Sequence, residues 1–283
     1  MTVLKSDASN LRRVVAVMAG QPTSDGAGVK LTRVIGQQRL PDLDPFLMLD
    51  EFRSDDAKDY IAGFPDHPHR GFETVTYMLA GRMRHEDNKG NKGLLRPGSV
   101  QWMTAGRGIV HSELPEQEDG LMWGFQLWVN LPARDKLCEP RYQEIAPEEI
   151  PEVAVDGGGK VRVIAGSVGG TTGPISGVAT DPTYLDVALP AGTAFAHKLP
   201  AQHNAFVYVF EGSAEIGGDT LARGRVAVLS QGDRIEVSAP KGGRFILVAG
   251  RPLGEPVAKY GPFVMNTVDE LRQAVADFQS GKF

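Results

Sequence analysis

Between Phe64 and Glu113 the chain carries two pairs of potential metal ligands, each pair split by one residue. His67 and His69 stand in Phe64-Pro-Asp-His67-Pro-His69-Arg-Gly-Phe-Glu73, and His111 and Glu113 in Gly106-Arg-Gly-Ile-Val-His111-Ser-Glu113. That spacing has a specific meaning on a β-strand, where side chains two apart share a face. Two such strands side by side would aim three imidazoles and one carboxylate at a single spot. This donor set suits a divalent first-row transition metal and leaves positions for a substrate or dioxygen. A fold that satisfies it must be a β-framework closed around the site.

The rest of the chain agrees with that demand. Short Val- and Leu-rich runs alternate with glycine-centred turns from Leu11 onward. The segments Leu43 to Phe52, Glu73 to Leu79, Val100 to Met103 and Leu121 to Val129 read as strands joined by tight turns, the signature of a sandwich or barrel. Leu11 to Gly36 reads as a hairpin or a pair of strands around the turn cluster Thr23 to Gly28. His85 to Gly93 reads as a polar hairpin loop, which makes His85 a solvated surface histidine. Residues 136–155, rich in Glu and Pro, read as a linker between a first domain over 1–135 and a second over 156–283. The second half repeats the architecture: Tyr208-Val-Phe-Glu-Gly212 echoes Tyr77-Met-Leu-Ala-Gly81. At the end, Thr267 followed by Glu270 is a capping-box pattern. Leu271, Ala274, Val275 and Phe278 then fall on one face of a helix expected to pack back on the body.

Composition narrows the function classes. With 283 residues, 41% hydrophobic and 23% charged, the sequence describes a globular chain with room for two domains; its 34 glycines favour a turn-rich β protein. A net charge of −5, without a Lys/Arg cluster interleaved with aromatics, argues against direct nucleic-acid binding. The apolar run after Arg12-Arg13 is too short for a signal sequence, and no other run has the length to cross a bilayer. The single cysteine, Cys138, fits a reducing compartment, so the cytoplasm is the expected location.

The stretches from His67 to Tyr77, from Gln101 to Glu113 and from Gly261 to Thr267 resemble the pirin family of bicupins, and the similarity extends over nearly the whole chain. The resemblance implies an all-β fold of two tandem cupin barrels with a short C-terminal helix, and one metal in the N-terminal barrel. The family's H-x-H and H-x-E ligand pattern falls on His67, His69, His111 and Glu113. On residue pattern alone Glu73 rivals Glu113, since it follows H-x-H at the parity that would keep it on the inner face; the resemblance favours Glu113 and leaves Glu73 a supporting carboxylate. Fe(II) is the expected ion, while nickel, cobalt, manganese, copper and zinc accept the same nitrogen and oxygen donors. Some family members are similar to quercetin 2,3-dioxygenases. The activity implied is therefore opening of a flavonol-like ring with dioxygen, with Glu113 as the base for the substrate hydroxyl. The alternative is a metal- or redox-dependent regulatory protein that binds a transcription factor or a metabolic enzyme.

Other candidates read as structural. Asp50 and Glu51 are adjacent, so on a strand they face opposite ways and do not form a catalytic pair. Trp102, Trp123 and Trp128 read as core residues, any of which could line a pocket mouth. His197 and His203 lack H-x-H spacing, so the second barrel is expected to be metal-free. Cys138 has no cationic neighbour in sequence to activate it.

Overall fold

The structure is a computed structural model and describes residues 10–283. Strands make up almost all of its regular structure. Among the described residues there is a single α-helix, Val268–Gln279. Its contacts group the chain into two compact units. One comprises residues 20–150 with 174–180 and 253–283; the other comprises residues 10–19 with 151–173 and 181–252.

Besides the two-stranded pair Ala258–Tyr260 and Phe263–Met265, the unit built on residues 20–150 holds two antiparallel sheets. The larger runs, from edge to edge, Arg141–Ile145, Val100–Thr104, Phe72–Ala80, Met122–Asn130, Phe46–Ser54, Val29–Ile35 and Gln21–Asp25. The smaller runs Phe64–His69, Ile109–Pro115, Met83–Asp87 and Lys92–Leu95. Val29, Leu31, Phe52 and Met122 of the larger sheet pack with Met83 and Leu95 of the smaller. Phe72–Ala80 and Met122–Asn130 lie mid-sheet and are buried at most positions, which is why both are rich in aromatic and branched residues. Phe72, Val75, Tyr77, Phe125 and Leu127 are fully buried. Each such side chain contributes about 1.5–3 kcal/mol of burial.

Two sequence expectations change here. The run Val14–Ala19 does not form a hairpin with Val29–Ile35. The latter pairs with Gln21–Asp25 across the Gly26 turn, and Val14–Ala19 lies antiparallel to Arg225–Leu229. Local turn chemistry named the turn correctly but could not say which flanking strand it served. Within the stretch expected as linker, Arg141–Ile145 is a strand bonded to Val100–Thr104 and Glu152–Val155 is a strand bonded to Gly159–Ala165. Both are short edge strands, and the Glu and Pro residues around them hid the pattern.

The helix forms as its cap signals. The Glu270 amide donates to Thr267 Oγ1 at 3.2 Å, and the Thr267 amide donates back to Glu270 Oε2 at 2.8 Å. Leu271 and Ala274 pack on Phe263 and Met265 within the same unit, while Phe278 remains partly exposed. Lys136, only 1% exposed, adds a second fastening. Its Nζ donates to the Gly71 carbonyl at 2.8 Å, Asn130 Oδ1 at 2.7 Å and the Val264 carbonyl at 3.0 Å.

The other unit has a ten-stranded sheet whose main path runs Val14–Ala19, Arg225–Leu229, Asn204–Ile216, Gly243–Gly250, Thr183–Leu189, Gly159–Ala165 and Glu152–Val155. Its interior is filled by Val161, Leu185, Val207, Phe245 and Leu247 with their neighbours, in one continuous apolar cluster. His203 is buried with Nε2 3.8 Å from Asp181, and His197 stacks on Phe195. No helix among the described residues is long and apolar enough to cross a membrane.

Candidate metal centre

The small sheet brings the two ligand-bearing patterns together. Phe64–His69 and Ile109–Pro115 are antiparallel neighbours, with His111 opposite His67 and Ile109 opposite His69. The two strands are in register from Ile109 to His111, and the register shifts between His111 and Glu113. The break after His69 is built into the chain: Gly71 adopts φ +87°, and a Cβ there would collide with the Val264 carbonyl oxygen. Only glycine tolerates both conditions, so Phe64–His69 and Phe72–Ala80 become separate strands on different sheets.

His67, His69 and His111 each offer a ring nitrogen, and these atoms all lie within 4.8 Å of one another. His67 Nδ1 sits 2.8 Å from the Pro65 carbonyl. A carbonyl only accepts, so the proton lies on Nδ1 and Nε2 carries the free lone pair. That Nε2 is 3.1 Å from His69 Nε2. His111 is 1% exposed, and its Nε2 finds no hydrogen-bond partner in the protein. Burial first, and then repulsion from the neighbouring imidazoles, pushes His69 and His111 well below the ordinary histidine value of 6.5. Both rings are therefore neutral at pH 7, the form in which imidazole binds a metal.

Glu113 lies outside this tight group of imidazoles but on the same strand as His111, and it is held firmly. Oε1 accepts from Thr76 Oγ1 at 2.9 Å and Oε2 accepts from Gln126 Nε2 at 2.7 Å, with the side chain 1% exposed. Nothing in the sequence pattern marked Thr76 or Gln126 as partners of this carboxylate, because the three residues sit on three different strands. Glu73 is directed elsewhere: it accepts from Thr104 Oγ1 at 2.7 Å, and burial raises its carboxyl above the usual range. The donor chemistry fits a divalent transition metal. Converging neutral imidazole lone pairs, one of them a buried nitrogen with no partner, would otherwise cost about 1–3 kcal/mol per unsatisfied group.

His85 is not on the surface. It is fully buried on Met83–Asp87, the strand on the other side of Ile109–Pro115, directly across from Glu113. The alternation of buried Met83, exposed Arg84 and buried His85 was present in the sequence, but the polar residues after it masked the strand.

A cavity of about 630 Å³ opens onto the histidines, lined by Met48, His67, His69, Gln126, Trp128 and Lys259 among others. Trp128 stands edge-on to His69 with ring centroids 5.2 Å apart, so of the three tryptophans it is the one that serves this wall. Trp102 and Trp123 are core residues. At the rim Arg33 clamps Asp50 with contacts of 3.0 and 2.8 Å and also reaches Asp25 at 2.9 Å. Asp50 and Glu51 do point apart, since Glu51 accepts from the Trp123 indole at 2.8 Å.

Comparison with known proteins gives a consistent result. Residues 28–129 match the family described as Pirin, and residues 184–283 match the Pirin C-terminal cupin domain. A pirin-like protein of Caulobacter vibrioides is 56% identical over 274 residues, covering 96% of this chain and 99% of its own. A Pseudomonas aeruginosa protein, named provisionally as a quercetin 2,3-dioxygenase, is 51% identical over 277 residues, covering 95% of this chain and 97% of its own. The crystal structure of quercetin 2,3-dioxygenase from Acinetobacter baumannii superposes with a TM-score of 0.89 at 34% identity, covering 96% of this chain and 98% of that one.

Proposed function

Because this chain belongs to the pirin family and is built of two cupin domains, we propose that His67, His69, His111 and Glu113 hold one divalent transition-metal ion, Fe(II) first, and that the protein is a dioxygenase of the quercetin 2,3-dioxygenase type. The observation that carries this reading is the convergence of three buried or half-buried imidazoles at a cavity of about 630 Å³. Pockets of roughly 300–1,000 Å³ take ligands of drug size, and a flavonol is of that order.

The bound ion would act as Lewis acid toward a substrate hydroxyl and as the redox partner that lets dioxygen react with a closed-shell phenol. The protein supplies the rest. Met48 and the Trp128 indole offer an apolar wall for an aromatic ring, and the burial of His69 and His111 keeps bulk water from those two rings. Glu113 would be the base for the substrate hydroxyl, and its Oε2 is held by Gln126, which itself lines the cavity. The Thr76 hydroxyl on Oε1 keeps the carboxylate oriented as it changes charge. Ring opening of the flavonol incorporates both atoms of dioxygen and releases carbon monoxide.

Elemental analysis of the purified protein beside His69→Ala tests the centre, and anaerobic flavonol addition followed by air tests the chemistry. Near-stoichiometric metal in the parent, its loss in His69→Ala, and carbon monoxide release on aeration are expected. Glu113→Gln should lose turnover more severely than metal, by about 10²–10⁴-fold, the contribution of a general base. A parent that takes up no Fe(II), Mn(II) or Ni(II) would refute the centre. A metal-loaded parent that leaves flavonol intact would refute the dioxygenase and favour the regulatory alternative.

A further inference from the structure

Beyond the four side chains proposed as ligands, one buried group faces the centre without a role in it. His85 Nδ1 lies 3.4 Å from His111 Nδ1, and the two ring centroids are 5.5 Å apart. The far side of the His85 ring rests on Tyr142, at 4.8 Å between centroids. Neither His85 Nε2 nor His111 Nε2 has a hydrogen-bond partner in the protein. Only two arrangements of protons satisfy the contact between the Nδ1 atoms when both rings are neutral. If His85 donates, His111 must carry its proton on Nε2 and would point an N–H at His67 and His69. If His111 donates, its Nε2 presents a lone pair to them, and His85 carries its proton on Nε2.

We propose that His85 is a positioning residue for the metal centre, accepting the Nδ1–H of His111 and so fixing that ring with its Nε2 lone pair toward His67 and His69. The proposal rests on the reading of His111 as a metal ligand. Metal-binding histidines ordinarily direct their second nitrogen to a carboxylate, carbonyl or water, and loss of that partner typically costs 10–100-fold in metal affinity. Here the partner is a neutral imidazole. Cross-strand geometry explains how it gets there. His85 stands opposite Glu113 on the neighbouring strand and is thus diagonal to His111 on the same face.

The test uses the full-length protein with Co(II) and Zn(II) as probes. Parent uptake is measured first; a parent that binds neither ion defeats the underlying centre and with it this inference. In a parent that does bind, His85→Phe keeps a ring against Tyr142 but removes the acceptor. His85→Asn places an amide oxygen near the position of Nδ1. His85→Phe should weaken Co(II) binding 10–100-fold and shift its visible ligand-field bands, while His85→Asn should return affinity to within about threefold of the parent. Equal losses in both variants would reduce His85 to a packing residue, and unchanged affinity and spectrum in His85→Phe would overturn the proposal. A third readout needs no variant to fold. Long-range ¹H–¹⁵N correlation of the Zn(II)-loaded parent should show His111 protonated at Nδ1 and His85 at Nε2. The reverse pair of tautomers would refute it.

Discussion

Replacing Lys136 by methionine is the sharpest test of how the ligand-bearing unit is fastened. The ammonium is buried, and its three protons are fully used by the Gly71 carbonyl, Asn130 Oδ1 and the Val264 carbonyl. Burial pushes its amine down to about 8 from 10.5, so holding the charge inside costs about 3 kcal/mol. Three charge-assisted hydrogen bonds, at about 2 kcal/mol each, outweigh that cost. Methionine removes the burial cost but leaves the Gly71 and Val264 carbonyls and Asn130 Oδ1 without this donor, so Lys136→Met should lose about 3 kcal/mol or more at pH 7. The readout is clean because Trp102, Trp123 and Trp128, all the tryptophans of the chain, lie in this one unit. Urea titration followed by tryptophan fluorescence therefore reports on it without contribution from the other unit. A midpoint and slope that place the variant within about 0.5 kcal/mol of the parent would refute the reasoning. In that case the three contacts add no net stability.

Other consequences follow from residues on either side of the centre. Asp277 is held below the ordinary carboxylate value of 3.8, chiefly by its bond to Arg70 and then by Lys282 and Gln273. Because the folded-state value is depressed, its contribution is present above 3.8 and is lost as pH falls below that value. Asp277→Asn should therefore lower the melting temperature near neutrality, and the gap to the parent should close in strong acid; a gap independent of pH would show that the ion pair is not responsible. Gly71→Ala should cost about 2 kcal/mol or more, from a side chain at positive φ and a clash with the Val264 carbonyl, and should reduce metal occupancy as His69 shifts. Calorimetry and elemental analysis check both effects, and an unchanged melting temperature would remove the argument for a forced turn.

The sequence made the imidazole cluster legible because strand parity is a local property. Once two H-x-H-like patterns lie on neighbouring strands, few arrangements remain. The capping box at Thr267 was equally readable, since its partners are three residues apart. What escaped was everything set by pairing across distance. His85 lay hidden in a run of charged residues, although its alternation with Met83 marked a strand. Gln126 and Thr76 reach Glu113 from the larger sheet, and no spacing rule links them. The same holds for Lys136, which sits in a stretch read as linker. A buried lysine looks like any surface lysine until its three acceptors, the farthest 128 residues away, are in place.

That separation also orders events during synthesis. At roughly 5–20 residues per second, a ribosome needs about 6–26 s to travel from Lys136 to Val264. Throughout that interval the nascent unit has the strands that carry His67, His69, His111 and Glu113 but neither the third acceptor for Lys136 nor the helix that supplies Asp277 to Arg70. The ammonium must stay hydrated, and the turn at Gly71 lacks the carbonyl that packs against it. The seat of Lys136 and the turn at Gly71 are therefore completed only once Val264 has been made, and a chain cut between Lys136 and Val264 would be held in that waiting state.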